Sequence, residues 1–158
     1  MSAPTQARPD AATLSLQEIS DRLQIQDALL AYATALDVPG RRWDQWYRCF
    51  TEDAVCEFPG IGAKSPAELQ ELFTQNDATR LSTQHLFLNI VIAVDGDTAT
   101  SRSECLYAAV NRGETPGTNE LRKSGLFFED ELVRTGDGWR VKHRVATYRW
   151  GHAIEVAA

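Results

Sequence analysis

The sequence predicts an α+β fold: a cone in which a curved, mostly antiparallel sheet wraps a pocket closed by three N-terminal helices. Three observations carry that expectation. Helical periodicity is confined to the segment before about Asn76. After Thr83 the period changes to long apolar and β-branched runs separated by Gly-Asp turns. Helices segregated from an antiparallel sheet define the class, and long strands joined by tight turns twist and curl, leaving a hollow where small ligands bind.

The first helix is expected over about Leu16 to Leu36. Ser15 and Glu18 form a capping box, and Leu14 before the cap can start a staple. Two apolar stripes run along it, Leu16, Ile19, Leu23 and Leu30 beside Ile25, Leu29, Tyr32 and Leu36. They predict burial over a wide arc. The helix stops near Asp37 because Pro39 and Gly40 follow. A second helix is expected from about Arg42 to Phe50, with Trp43, Trp46, Tyr47 and Phe50 on one face. Thr51 to Ala54 reads as a break, then Val55 to Phe58 as a short strand. Ser65, Pro66 and Glu68 supply N-cap, N1 and capping-box chemistry for a third helix that runs to about Asn76. Four strands follow, over about Thr83–Val94, Thr98–Val110, Arg122–Arg134 and Trp139–Trp150. Met1 to Thr13 reads as a disordered lead-in, residues 14–152 as one domain, and 153–158 as a tail.

The chain has 158 residues, 43% hydrophobic and 24% charged, an ordinary balance for one core. Its formal charge of −6 disfavours nucleic acid and anionic membranes as partners. No apolar run spans a bilayer, and the N-terminus lacks the order of a signal peptide, so a cytoplasmic location is expected. Cys49, Cys56 and Cys105 are an odd set without CxxC spacing and read as reduced, packed thiols. His85, His143 and His152 share no metal-ligand spacing, and phosphate-loop, dinucleotide and GxSxG motifs are missing, so neither metal nor cofactor is expected.

Strict alternation along Thr83–Val94 puts Leu86, Leu88, Ile90, Ile92 and Val94 on one face and His85, Phe87, Asn89, Val91 and Ala93 on the other. The mixed face suits a cavity wall. The apolar face suits a second subunit or a helix layer. His85 by itself is more often a structural histidine, and Asp37 by itself a helix terminator. Together they could act: a carboxylate beside imidazole fixes one tautomer and stabilises the imidazolium formed on proton abstraction. Tyr32, on the second stripe, is more often core, but a phenol in a dry pocket can also serve a developing oxyanion or a leaving hydroxide. Phe58, Phe87, Asn89, Tyr107, Phe127 and Arg144 are the candidate substrate-lining residues; Arg144 and Arg149 fall on opposite faces of the last strand.

Taken together, these segments resemble the SnoaL-like proteins of the nuclear-transport-factor-2-like superfamily. The resemblance rests on Tyr32 to Asp37, Trp43-Asp44, Phe50 to Ala54, His85 with Asn89, Asp95 to Ala99, Gly125 with Phe127 to Asp130, and Arg134 through Gly138 to Val141. It implies a cone-shaped, usually oligomeric protein. In the bile acid dehydratase branch a tyrosine, an aspartate five residues on and a strand histidine carry catalysis, and Tyr32, Asp37 and His85 match in type and order. The dehydrochlorinase branch has lysine in place of Tyr32. The scytalone dehydratase branch uses a second histidine that neither His143 nor His152 clearly supplies. The implied activity is a cofactor-independent dehydratase or isomerase acting on a small hydrophobic polyketide-, steroid-, terpenoid- or aromatic-like substrate. Ring closure by intramolecular addition, as in the cyclases, is the alternative within the enzymes. A non-catalytic ligand-binding or subunit-assembly module is the alternative outside them. A homo-oligomer, dimer or trimer, through the outer sheet face is the partner expectation.

Overall fold

The computed structural model describes residues 13–158, so all of the expected lead-in except Thr13 lies outside the described residues. The chain forms α1 (Leu16–Leu36), α2 (Trp43–Tyr47), β1 (Phe50–Phe58), β2 (Gly62–Lys64), α3 (Pro66–Gln75), a 3₁₀ turn (Asn76–Thr79), β3 (Arg80–Asp95), β4 (Thr98–Arg112), β5 (Thr118–Thr135) and β6 (Gly138–Ala157). Both capping boxes form, Ser15 with Glu18 and Ser65 with Glu68. The six strands make one sheet in the order β2-β1-β6-β5-β4-β3, antiparallel except where β1 lies parallel to β6. This is the α+β architecture the periodicities predict. No described helix is long and apolar enough to cross a membrane.

Several local expectations are corrected. The second helix covers only Trp43–Tyr47, and the first strand starts at Phe50 rather than Val55. Val141 N–H donates to the Cys49 carbonyl at 2.8 Å, and pairing with β6 at Phe50 and again from Val55 holds the polar run Thr51–Ala54 within the strand across a register shift. Local propensity loses to tertiary hydrogen bonding there. The expected tail from residue 153 is strand as far as Ala157, paired with Thr118 on β5. The α1 stripes also differ in fate. Ile25, Leu29, Tyr32 and Leu36 are buried, whereas Leu16 and Leu23 are 86% and 58% exposed. The second stripe carries the main apolar contact, with Leu30 of the first packed at its margin.

The strict alternation along β3 fails at one residue. Leu88 pairs with Glu104 and Val91 with Arg102, so two residues, Asn89 and Ile90, face one. Asn89 sits at φ 50, a left-handed conformation that asparagine tolerates better than most residues. This β-bulge inverts the faces beyond it. His85 and Phe87 point inward before it, and Ile92 and Val94 point inward after it, while Leu86, Leu88 and Val91 are exposed. The uniform apolar face from Leu86 to Val94 therefore does not exist.

A buried clamp ties α1 to the far hairpins. Arg134 donates to both oxygens of Asp21, at 2.6 and 2.9 Å, and Trp139 Nε1 donates to Oδ1 at 3.2 Å. Hydrogen bonds from Arg134 hold the Asp21 carboxyl well below the usual carboxylate range despite its burial. The three cysteines are free and buried, and burial pushes their thiols up, to about 11 for Cys49 and Cys56 and about 12 for Cys105.

Candidate active site

The end of α1 and the start of β3 meet at one point. Asp37 is the C-cap of α1, its N–H bonded to the Ala33 carbonyl at 2.9 Å. The Thr83 hydroxyl donates to the Leu36 carbonyl at 3.3 Å, satisfying one of the acceptors a helix C-terminus leaves open. This stitch brings β3 beside the helix end. Asp37 then takes His85 at two points. Oδ2 accepts the His85 backbone N–H at 2.6 Å, and Oδ1 lies 2.6 Å from ring Nδ1. An ionised carboxylate only accepts, so Nδ1 carries the proton and the lone pair of the neutral ring sits on Nε2. Burial pushes the Asp37 carboxyl up. The hydrogen bonds and charge of His85 outweigh it, and the group is held below its ordinary value.

Tyr32 projects from α1 into an aromatic layer. Its ring lies about 6 Å from those of Trp46, Phe50, His85, Phe87 and Phe128. It packs edge-on to His85, at 84°. Burial keeps the phenol far above its ordinary range, offset only in part by Arg144. Arg144 lies on the other side, its guanidinium 4.5 Å from the Tyr32 ring centre and 4.4 Å from that of Phe128. Asp130 neutralises it through bonds of 2.6 and 3.0 Å, and Ser101 donates to Asp130 at 3.3 Å. Arg144 Nη1 and Ser103 Oγ are buried without a hydrogen-bond partner among the described residues.

The expected lining residues divide. Tyr107 lies beside His85 across the β3–β4 ladder, with ring centres 4.8 Å apart. Phe87 stacks on Phe128 at 5.4 Å and 18°. Phe58 packs edge-on to Phe73 and Phe128. Arg144 points inward, while Arg149 is exposed and pairs with Glu104 at 3.1 Å. Two expectations are overturned. Asn89 is spent on the bulge and exposed. Phe127 shares the outer face with Glu129 and Glu131, beneath the Arg102 guanidinium at 4.4 Å. Its neighbour Phe128 takes the interior position. The alternation Phe128, Asp130, Leu132 against Glu129 and Glu131 was the available signal for Phe128 and Asp130.

This aromatic layer packs behind His85, and two cavities open beside the helix end and the start of β3. One cavity of about 740 Å³ is bounded by Arg80, Tyr107, Asn111 and the β4–β5 turn. A second of about 320 Å³ is bounded by Asp37, Arg41, Trp43, Asp77 and Arg80. The site is therefore a half-open polar mouth over an aromatic floor, wetter than the closed apolar hollow the sequence suggested.

Comparison with known proteins is consistent with this geometry. Proteins of Mycobacterium tuberculosis and Mycobacterium bovis, both named only as uncharacterized, are 38% identical over 141 residues, covering 87% of this chain and 92% of each relative. A Novosphingobium aromaticivorans protein provisionally named an aromatic ring hydroxylase superposes with a TM-score of 0.74 at 27% identity, over 87% of this chain and 94% of its own. A protein of the same organism provisionally named a scytalone dehydratase gives 0.74 at 20% identity, over 89% and 91%. A hexachlorocyclohexane dehydrochlorinase gives 0.72 at 19% identity, over 88% and 92%, a likeness of fold alone. Residues 17–145 match the SnoaL-like domain, and with its helices closing a curled six-stranded sheet the chain belongs to that family, with the nuclear-transport-factor-2-like fold.

Proposed function

We propose that the chain is a cofactor-independent acid/base enzyme that takes a proton from carbon in a small hydrophobic substrate of polyketide, steroid, terpenoid or aromatic type, and eliminates water or shifts a double bond. The observation that carries this reading is the two-point hold of Asp37 on His85, at 2.6 Å each, which leaves Nε2 as the basic nitrogen. Nε2 removes a proton from carbon beside a carbonyl, and the C–H electron pair becomes the new double bond. The carboxylate and the negative end of α1 steady the resulting imidazolium. In an elimination the β-hydroxyl leaves with a proton from Tyr32, as water. The imidazolium proton then returns to the tyrosinate through solvent. Arg144 beneath the ring lowers the cost of that transient charge. The elimination named for the hexachlorocyclohexane dehydrochlorinase, which shares the fold, is chemistry of the same class.

The test is proton exchange in heavy water across a panel of β-hydroxy ketones and cyclic enones, followed by NMR. The wild-type protein exchanges and then eliminates or isomerises at least one member. His85→Ala, still folded, loses this activity by about 10²-fold or more. Undiminished exchange in the folded variant overturns the assignment.

The same reading includes self-association through the outer sheet face, with a second copy of the chain as occupant. Leu86, Leu106 and Trp150 lie in one register row, and Leu88 and Phe127 lie in the next. The Trp150 indole covers Gly125, where a Cβ would meet it at 2.4 Å. Arg102, Glu129 and Glu131 border this band and form no ion pair among the described residues, so charges of both signs remain for a two-fold partner. Leu88→Glu with Leu106→Glu yields a monomer in sedimentation analysis; a wild-type protein already monomeric at high concentration refutes the idea.

A further inference from the structure

Arg80 at the mouth of the cone is set apart by its partners. Arg41, Arg134 and Arg144 each meet a carboxylate, on Asp77, Asp21 and Asp130. Arg80 is half-buried, and among the described residues its side chain bonds to neutral acceptors: Nε donates to Asn111 Oδ1 at 2.7 Å and Nη1 to the Tyr107 hydroxyl at 2.7 Å. The nearby acids are engaged elsewhere. Asp77 takes Arg41 at two points, and Glu120 takes Arg122. Glu114, Glu155 and Arg112 also border the larger cavity, where they are exposed to solvent. A guanidinium braced by neutral groups keeps its charge and its remaining N–H donors for a ligand, and its planar fork suits a carboxylate. It lines both cavities, and the Tyr107 ring that it holds lies against His85.

We infer that Arg80 recognises a carboxylate on the substrate and so sets its orientation, with the carboxylate at the mouth and the apolar body turned towards His85. The inference rests on the proposed acid/base reading and narrows its substrate class to hydrophobic carboxylic acids. Asn111 and Tyr107 are positioning residues that fix the guanidinium plane.

Calorimetric titration with cinnamate and with the isosteric neutral cinnamamide tests this without knowledge of the true substrate. The wild-type protein binds cinnamate at least about tenfold more tightly, as expected for a charge-assisted hydrogen bond. Arg80→Gln abolishes the preference while amide binding is retained, and Arg80→Lys keeps part of it. In the wild-type protein the Arg80 Nε–H resonance moves with cinnamate and not with the amide, which reads the contact even if a variant fails to fold. His85→Ala keeps the carboxylate preference whether or not it loses turnover, so loss of the catalytic reading is seen separately. Equal binding of the two probes, binding of neither, or a preference that survives Arg80→Gln overturns the inference.

Discussion

The Asp37–His85 and Asp130–Arg144 pairs flank the same tyrosine ring. His85 lies edge-on to Tyr32 at 6.1 Å, and Arg144 lies over it at 4.5 Å. Both pairs have bonds of 2.6 Å. They differ in access to water: the side chains of His85 and Asp37 are 12% and 20% exposed, those of Arg144 and Asp130 1% and 0%. They differ also in chemistry. Arginine has no lone pair with which to accept a proton, whereas a neutral imidazole has one. The deep pair is therefore a fixed element that locks β5 to β6 and supports the aromatic floor. The shallow pair, partly open to water, is the one that the proposed acid/base reading uses. Similar bond lengths thus carry different roles, and burial with partner type decides which.

Breaking the deep pair gives the largest expected change. Asp130→Ala strands a buried guanidinium and costs about 3–5 kcal/mol in urea unfolding. Replacing both partners by apolar residues of similar size recovers most of that loss. If Asp130→Ala is mild, the pair is not the fixed element described. Breaking the shallow pair reverses the balance between stability and activity. Asp37→Asn costs about 1–2 kcal/mol but lowers turnover by about a hundredfold, because the imidazolium loses its counter-charge.

Acid titration reports on the shallow pair and on the Asp21 clamp. Asp21 and Asp37 are both held below their ordinary value of 3.8, so the unfolded chain takes up protons first as pH falls. Their contribution is full above about pH 5 and is lost as pH drops through the folded values. A plot of urea midpoint against pH therefore declines on the acid side, and Asp37→Asn makes the decline shallower. An unchanged slope would mean that the Asp37 carboxylate contributes little to folding. The smallest effect belongs to the bulge at Asn89. Asn89→Gly relieves the φ 50 conformation and shifts stability by less than about 1 kcal/mol. Asn89→Val strains the bulge and destabilises by more than the glycine change.

Part of this site was legible in the residues. Asp37 before Pro39-Gly40 marks a helix end, and His85 sits early in an alternating strand, so each could be placed on its element. Their contact could not be read, since 48 residues separate them and the Thr83–Leu36 stitch that joins the elements is tertiary. Phe127 and Asn89 were misassigned for related reasons. At two adjacent phenylalanines the inward one is marked only by its alternation with Glu129 and Glu131 further along the strand, and an asparagine within an apolar run looks like a polar group in a cavity when it is turning the backbone.

The α+β class, the two capped helices and the tight turns at Asp95–Thr98 and Thr135–Gly138 follow from the order of residues alone. Those features rest on hydrogen bonds and φ preferences among residues a few positions apart. Long-range packing sets which face of β3 looks inward beyond Asn89, which stripe of α1 is covered, and which arginines meet a carboxylate. One bulge inverts every later side chain, and an ion pair depends on neighbours that chain order does not reveal.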